Sequence, residues 1–302
     1  MKKQLIKIIN KLPHVRGLHE EKLHFEKNSC FPPGHYYSTI IDVEEIKERQ
    51  EEIWSNESID GIDGIDLQTK NQLQFVSLFQ QYYGEIPFGD DKKENLRYYF
   101  KNEWYSYTDA IFLYSMIRQQ APKQIIEIGS GFSSSVMLDT NELFFNNEIN
   151  LTFIEPNTER LKSLLKESDY NTTTIIEQEI QKVSLKVFEK LNSGDILFVD
   201  STHVAKTGSD VNHILFNILP YLKSGVIIHF HDIFHPFEYP KKWVFEGRNW
   251  NEGYILKAFL MYNSDFEIKL FSHYLHIHHK SIFKDMPACY NNFGANLWLE
   301  KK

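Results

Sequence analysis

Cysteine is scarce in this chain. Cys30 and Cys289 are the only two among 302 residues, which gives neither a disulfide framework nor a zinc pattern. Cationic excess is missing as well. The 33 Lys and Arg face 41 Asp and Glu, for a formal net charge of −8. No phosphate-neutralising surplus exists, so a general nucleic-acid binder is excluded. No apolar run approaches the roughly 20 residues that span a bilayer. The first residues, Met1-Lys2-Lys3-Gln4, lack the apolar core and small-residue cleavage site of a secretory leader. These absences predict a reduced, cytoplasmic protein that engages neither nucleic acid nor membrane.

What is present is a core. Apolar residues make up 42% of the chain and aromatics 15%, with 23 Phe and 16 Tyr, which suits bulky packing and aromatic-lined pockets. The length exceeds one mean domain and predicts one α/β domain with an extension. Residues 1–102 read as a mostly helical and looped cap. Lys2 to Lys11 is a short basic helix-like start, and Phe31-Pro32-Pro33-Gly34-His35-Tyr36-Tyr37-Ser38 is an aromatic elbow rich in turn formers. Asp42 to Asn56 is a charged helix candidate, and Lys70 to Tyr83 a helix with Leu73, Val76, Phe79 and Tyr83 along one side. Gly61-Ile62-Asp63-Gly64-Ile65-Asp66 lacks the spacing and terminal Glu of a calcium loop and reads as a turn.

Residues 103–302 alternate regularly. A helix from Trp104 to Ile117 ends before Pro122, and Gln124 to Ile128 is a short β-branched run suited to a buried parallel strand. Gly129 and Gly131 then permit a tight turn, and Ser133, Ser134 and Ser135 open a helix over 133–144. Further strands are expected at 150–154, 173–177, 195–199 and 225–231. Helices are expected at 157–168, 181–191, 209–222 and 251–261. Phe266 to Phe271 and Asn296 to Glu300 read as an antiparallel pair at the sheet edge. The fold class is therefore α/β, a doubly wound seven-stranded Rossmann-like sheet with an antiparallel last strand.

The turn after Ile128 is a nucleotide-type corner at the carboxyl end of a sheet. Glu155, at the tip of the second strand, stands where a ribose diol is held. Glu127 precedes Gly129 where a nicotinamide fingerprint has an apolar residue, and Ser134 replaces the third glycine. With these residues the chain resembles the class I S-adenosylmethionine-dependent methyltransferases, over roughly residues 103–300. The resemblance implies S-adenosylmethionine as cofactor. Glu155 would hold its ribose, with Glu127, Gly129, Gly131, Ser133 and Asp200 around the rest. The Pro-Gly-His-Tyr-Tyr-Ser element resembles one in a bacterial methyltransferase family with the same C-terminal pattern.

Asp200 and His203 follow the fourth strand, and His231 and Asp232 end the fifth, so all four should converge beside the methyl donor. Methyl transfer to a hydroxyl suits a base of near-neutral pKa, which favours His203, with His231 as competitor. The arrangement resembles the metal-dependent O-methyltransferases of catechols and macrolide sugars. That likeness implies a small-molecule or sugar substrate and a divalent metal on Asp200, His231 and Asp232. His231 stands where the sugar-modifying kind has a carboxylate, which points to zinc, iron or manganese, or to no ion at all. A nicotinamide oxidoreductase, a metal-dependent hydroxylase and a non-catalytic cofactor-binding domain are the rival readings, and homo-oligomerisation stays open. Tyr107 and Asp109 are expected over the cofactor, and Pro236 to Asn251 as a lid. His276 and His278 are expected on one face of any strand near the chain's end.

Overall fold

Seven strands carry the alternation. They are β1 (Gln124–Ile128), β2 (Asn150–Ile154), β3 (Thr173–Ile176), β4 (Ile196–Val199), β5 (Ile227–Phe230), β6 (Phe266–Phe271) and β7 (Leu297–Lys301). The computed structural model describes residues 13–302, so the basic Lys2–Lys11 start lies outside the described residues. The sheet order is β3-β2-β1-β4-β5-β7-β6. β1 to β5 pair in parallel, and β7 inserts antiparallel between β5 and β6. The near-continuous apolar runs of β4 and β5 follow from burial on both faces. The order reverses between β1 and β4, and the tips of these strands frame a crevice there.

The chain divides into two compact units. One takes the described residues up to Ile53 with Lys241–Asn249, the other Trp54–Pro240 with Trp250–Lys302. In the first, the helix Lys241–Phe245 packs beside the helix Val43–Glu48. The Ile41 amide donates to Asn249 Oδ1 at 3.1 Å, and Lys47 Nζ lies 5.8 Å from the Phe245 ring centroid.

Residues 54–102, grouped by sequence with the cap, belong to the sheet unit. Two contacts explain why. The helix Thr69–Tyr83 packs on the helix Tyr107–Gln120, with Phe79 and Phe112 edge to face at 5.4 Å. Arg97, 3% exposed, reaches three carboxylates. Its guanidinium donates to Asp139 and Glu142 at 2.7 Å each, and to Asp169, while its own amide and that of Tyr98 also bond Asp139. An arginine buried on this scale persists because every charge around it is paired.

Four expected helices are broken. The Asp42 to Asn56 pattern yields Val43–Glu48, Gln50–Ile53 and a 3₁₀ turn at Ser55–Ser58. The 157–168 pattern yields Glu159–Leu164 and a separate turn at Asp169–Thr172. The 181–191 pattern yields 3₁₀ turns at Ile180–Lys182 and Leu185–Lys190, where the Ser184 hydroxyl accepts the Lys186 amide in place of a helical carbonyl. The 209–222 pattern becomes Asp210–His213, a π-turn over Ile214–Ile218 and a 3₁₀ turn at Leu219–Tyr221. Pro220 has no amide hydrogen for the carbonyl four residues back, so the ladder cannot continue through it. His276 and His278 fall on a helix, Ser272–His278, and not on a strand. Two residues apart on a helix, they face different ways: His278 meets His235 and His276 lies by Phe283. Among the described residues no helix is long and apolar enough to cross a membrane.

Candidate active site

The ladder continues past the strand ends and brings four tips to one edge. Gly129 N donates to Ile154 O at 3.0 Å, Glu155 N to Ile176 O at 3.1 Å, Asp200 N to Ile128 O at 2.9 Å, and His231 N to Val199 O at 3.0 Å. Gly129 has φ +81°, and a Cβ there would lie 1.8 Å from the Asp200 carbonyl oxygen. The space a side chain would take there is filled by the chain's own backbone, so the close approach of the β1 and β4 ends requires a glycine. Gly131 precedes the helix Phe132–Phe145, and its amide donates to Ser134 Oγ at 3.0 Å. A Cβ on Gly131 would come 3.2 Å from Arg160 Cδ.

Beneath this turn Glu127 is fully buried. Its oxygens accept the hydroxyls of Ser133, at 2.6 Å, and Ser134. Burial pushes its pKa up to about 8 against the pull of those hydroxyls. Ser133, expected at the cofactor, thus spends its donor on Glu127, though it also lines the cavity above.

That cavity, about 340 Å³, is lined by the Gly129–Ser133 turn, Glu155, Asp200, His203, His231 and Asp232, with Trp104 and Trp250 at its sides. A second cavity of about 410 Å³ shares Gly129, Glu155 and Asp200 and runs between Ile154, Ile180 and Val204. Glu155 sits where the two meet. Its Oε2 accepts the Ser130 amide at 3.1 Å and its Oε1 the Asn157 amide at 2.8 Å, which fixes the carboxylate in place.

His203 and Asp232 hold the left-handed backbone, with φ of 60° and 57°, a conformation non-glycine residues adopt at a cost and which clusters at functional sites. It turns both side chains inward. His203 Nε2 lies 3.4 Å from Asp200 Oδ1 and 3.7 Å from Asp232 Oδ2, and His231 Nε2 lies 3.5 Å from Asp232 Oδ1. At the other nitrogen, His203 Nδ1 is 2.8 Å from Glu252 Oε2. Burial alone would discharge His203, but hydrogen bonds to Asp200 and Glu252 outweigh it and hold its pKa well above the usual value. Burial likewise works against a charge on His231, but Asp232, Asp200 and Asp109 outweigh it and raise its pKa. Burial works against Asp200, yet His231, His203 and Arg160 hold its carboxyl below the usual range.

The four residues expected to converge are therefore together. As a metal site they fit poorly. Among the described residues no group of three or more His, Cys, Asp or Glu is arranged to hold an ion.

Tyr107 and Asp109 do not reach the cavity. The Tyr107 hydroxyl donates to Asp90, and Asp109 accepts from the Ala295 amide and Asn296 Nδ2, both at 2.8 Å. Trp104 and Tyr105 line it instead, the Tyr105 ring lying 5.0 Å from that of His231. Of the expected lid, Trp250 lies against His203 at 4.4 Å, while Lys241–Asn249 belong to the other compact unit. Three cavity or site residues carried no sequence signal: Trp104, Arg160, whose guanidinium sits 3.7 Å over the Trp104 ring, and Glu252.

Comparison with known proteins agrees with the sheet. A family model described as a methyltransferase domain matches residues 126–233. An uncharacterized protein of Archaeoglobus fulgidus is 32% identical over 180 residues, 58% of this chain and 80% of the relative. Among solved structures, the O-methyltransferase of Streptomyces achromogenes involved in tomaymycin synthesis, in complex with S-adenosylmethionine, aligns at 12% identity. That alignment covers 85% of this chain and 98% of that one, with TM-score 0.43. A methyltransferase of Podospora anserina bound to S-adenosylhomocysteine aligns at 14% identity over 86% and 96% of the two chains, also at 0.43. These structural likenesses are distant. The chain belongs to the same family as that archaeal protein, and over β1 to β5 it carries a methyltransferase domain, with a strand order that turns back at β7 as in the fold of the class I S-adenosylmethionine-dependent methyltransferases.

Proposed function

We propose that the protein transfers a methyl group from S-adenosylmethionine to a hydroxyl of a small molecule or sugar, with His203 as the general base. The observation that carries this reading is His203 itself. It is a buried imidazole turned into the cavity by a left-handed backbone, with Nε2 facing Asp200 and Asp232.

The residues fit the cofactor. Two cavities meeting at a fixed carboxylate suit a ligand bent at a ribose. Glu155 has lone pairs left for two hydroxyls, and the second cavity offers the apolar walls Ile154, Ile180 and Val204 to a purine. When bound, S-adenosylmethionine supplies the electrophilic methyl. The chain's part is to hold the acceptor oxygen in line and to take its proton at His203 Nε2. Asp200 and Asp232 then stabilise the imidazolium that forms, and Trp104, Tyr105 and Trp250 exclude water from the reacting oxygen. No step runs through a metal.

Binding tests the reading first. S-adenosylhomocysteine should raise the melting temperature and NAD should not, because a ligand that binds only the native state stabilises it. Glu155→Ala should weaken that binding through loss of a charged acceptor. A thermal shift with NAD and none with S-adenosylhomocysteine would overturn the proposal.

A further inference from the structure

The His203 ring is held at both nitrogens, and only one hold belongs to the cavity. Nε2 faces Asp200 and Asp232 across it. Nδ1 points away, to Glu252 Oε2 at 2.8 Å. Glu252 is 1% exposed and does not line the cavity, so its carboxylate is turned toward His203 and not toward a ligand. Its second oxygen accepts the Ser201 hydroxyl at 3.2 Å.

The same short stretch grips His203 in other ways. The amides of Asn251 and Glu252 both donate to the His203 carbonyl, at 3.0 and 3.1 Å. Asn251 pairs with the backbone of Ala205 in both directions, accepting at 2.6 Å and donating at 3.2 Å. The Trp250 ring lies 4.4 Å from the imidazole. A glutamate in the first turn of a helix ordinarily serves the helix dipole in solvent. Here the carboxylate is buried, a state that needs pairing, and its partner is a ring on another segment.

We infer that Glu252 is the positioning residue of this site, fixing the His203 tautomer and ring plane so that Nε2 faces the acceptor hydroxyl with its lone pair free. A neutral imidazole carries one proton, on either nitrogen. Asp200 and Asp232 attract that proton to Nε2, where it would block the base. Glu252 attracts it to Nδ1 from 2.8 Å, closer than the 3.4 and 3.7 Å of its rivals, and so leaves Nε2 able to accept. Ser201 keeps the carboxylate from rotating away, and Trp250 limits tilting of the ring. The inference rests on His203 being the base.

Glu252→Gln tests it. The amide keeps the size of the side chain but can turn its NH₂ to Nδ1, which favours the proton on Nε2. Turnover should fall on the order of 10²-fold, within what a positioned base contributes, while KM for the acceptor, S-adenosylhomocysteine affinity and melting temperature hold. Glu252→Asp, which keeps the charge, should recover part of the loss. In a His203→Ala background Glu252→Gln should cost nothing further, because the two act as one unit. At a pH above the His203 pKa, where the ring is neutral, nitrogen NMR of labelled histidine should show His203 carrying its proton on Nδ1 in the wild type and on Nε2 in Glu252→Gln. An unchanged tautomer, an equal cost in the His203→Ala background, or a loss that follows melting temperature and cofactor affinity would overturn the inference. Should Glu252→Gln not fold, Ser201→Ala must show the same pattern in weaker form, and its absence would equally overturn it. The NMR result stands apart from activity, so a protein that transfers no methyl group would sink the proposed function and leave the tautomer readable.

Discussion

Glu127 offers the sharpest quantitative test of this site's electrostatics. An ordinary glutamate titrates near 4.5, whereas this one, buried against two serine hydroxyls, is pushed up to about 8. A group whose folded pKa lies above its unfolded value contributes stability fully present below the unfolded pKa and lost as pH rises through the folded one. At about 1.4 kcal/mol per pH unit, the cost of keeping Glu127 buried grows from pH 4.5 upward, to about 3 kcal/mol at pH 7 and a ceiling of about 5 kcal/mol above pH 8. Glu127→Gln removes the charge and keeps the shape, and its amide can still bond Ser133 and Ser134, whose hydroxyls both donate and accept. Wild type and variant should be close in stability at pH 5. By pH 8 the ligand-free variant should be the more stable by up to the sum just given. Urea unfolding at pH 5, 6, 7 and 8 reads the difference directly, and titrating groups remote from Glu127 cancel between the two proteins. Parallel stability curves across that range, or a variant less stable at pH 8, would refute the reasoning.

Four further outcomes follow from the geometry. Because the carboxylates raise the His203 pKa, the rate should fall on the acid side of a limb lying above pH 6.5, and His203→Ala should remove that limb in a pH–rate profile. Gly129→Ala sets a methyl on the Asp200 carbonyl in a left-handed backbone, so thermal unfolding should show a loss of at least about 1–2 kcal/mol. Arg97→Met strands the buried Asp139 and Asp169 and should cost about 3–5 kcal/mol by urea titration. Turnover should persist in excess chelator; loss restored by one divalent ion would instead make Asp200, His231 and Asp232 its ligands.

What the sequence could show was local. Gln124–Ile128, Asn150–Ile154 and Phe266–Phe271 are strands over the residues expected, because β-branched runs bounded by turn residues need no partner to be recognised. Glu127, Glu155, Asp200, His203, His231 and Asp232 were legible because parallel strands bring their tips to one edge by topology alone. Glu252 was not. As text it is an ordinary first-turn glutamate, and only the approach of its helix to His203 buries it. Arg97 and Arg160 were hidden for the same reason, since their partners lie tens of residues away. The broken helices at 181–191 and 209–222 show the opposite limit: apolar spacing suited a helix, but Ser184 and Pro220 decided the backbone.

The smaller compact unit is assembled from an N-terminal stretch and a nine-residue stretch, Lys241–Asn249, met only after β5. Its two parts are matched: Ile41 bonds Asn249, and Lys47 rests on Phe245. In evolutionary terms such a unit cannot be gained or shed piecemeal, since losing either segment bares the face the other was shaped to cover. The same holds at the bench. A version trimmed to begin at Trp54 would carry the helix Lys241–Phe245 without its packing partner, so a minimal protein has to shorten both places at once.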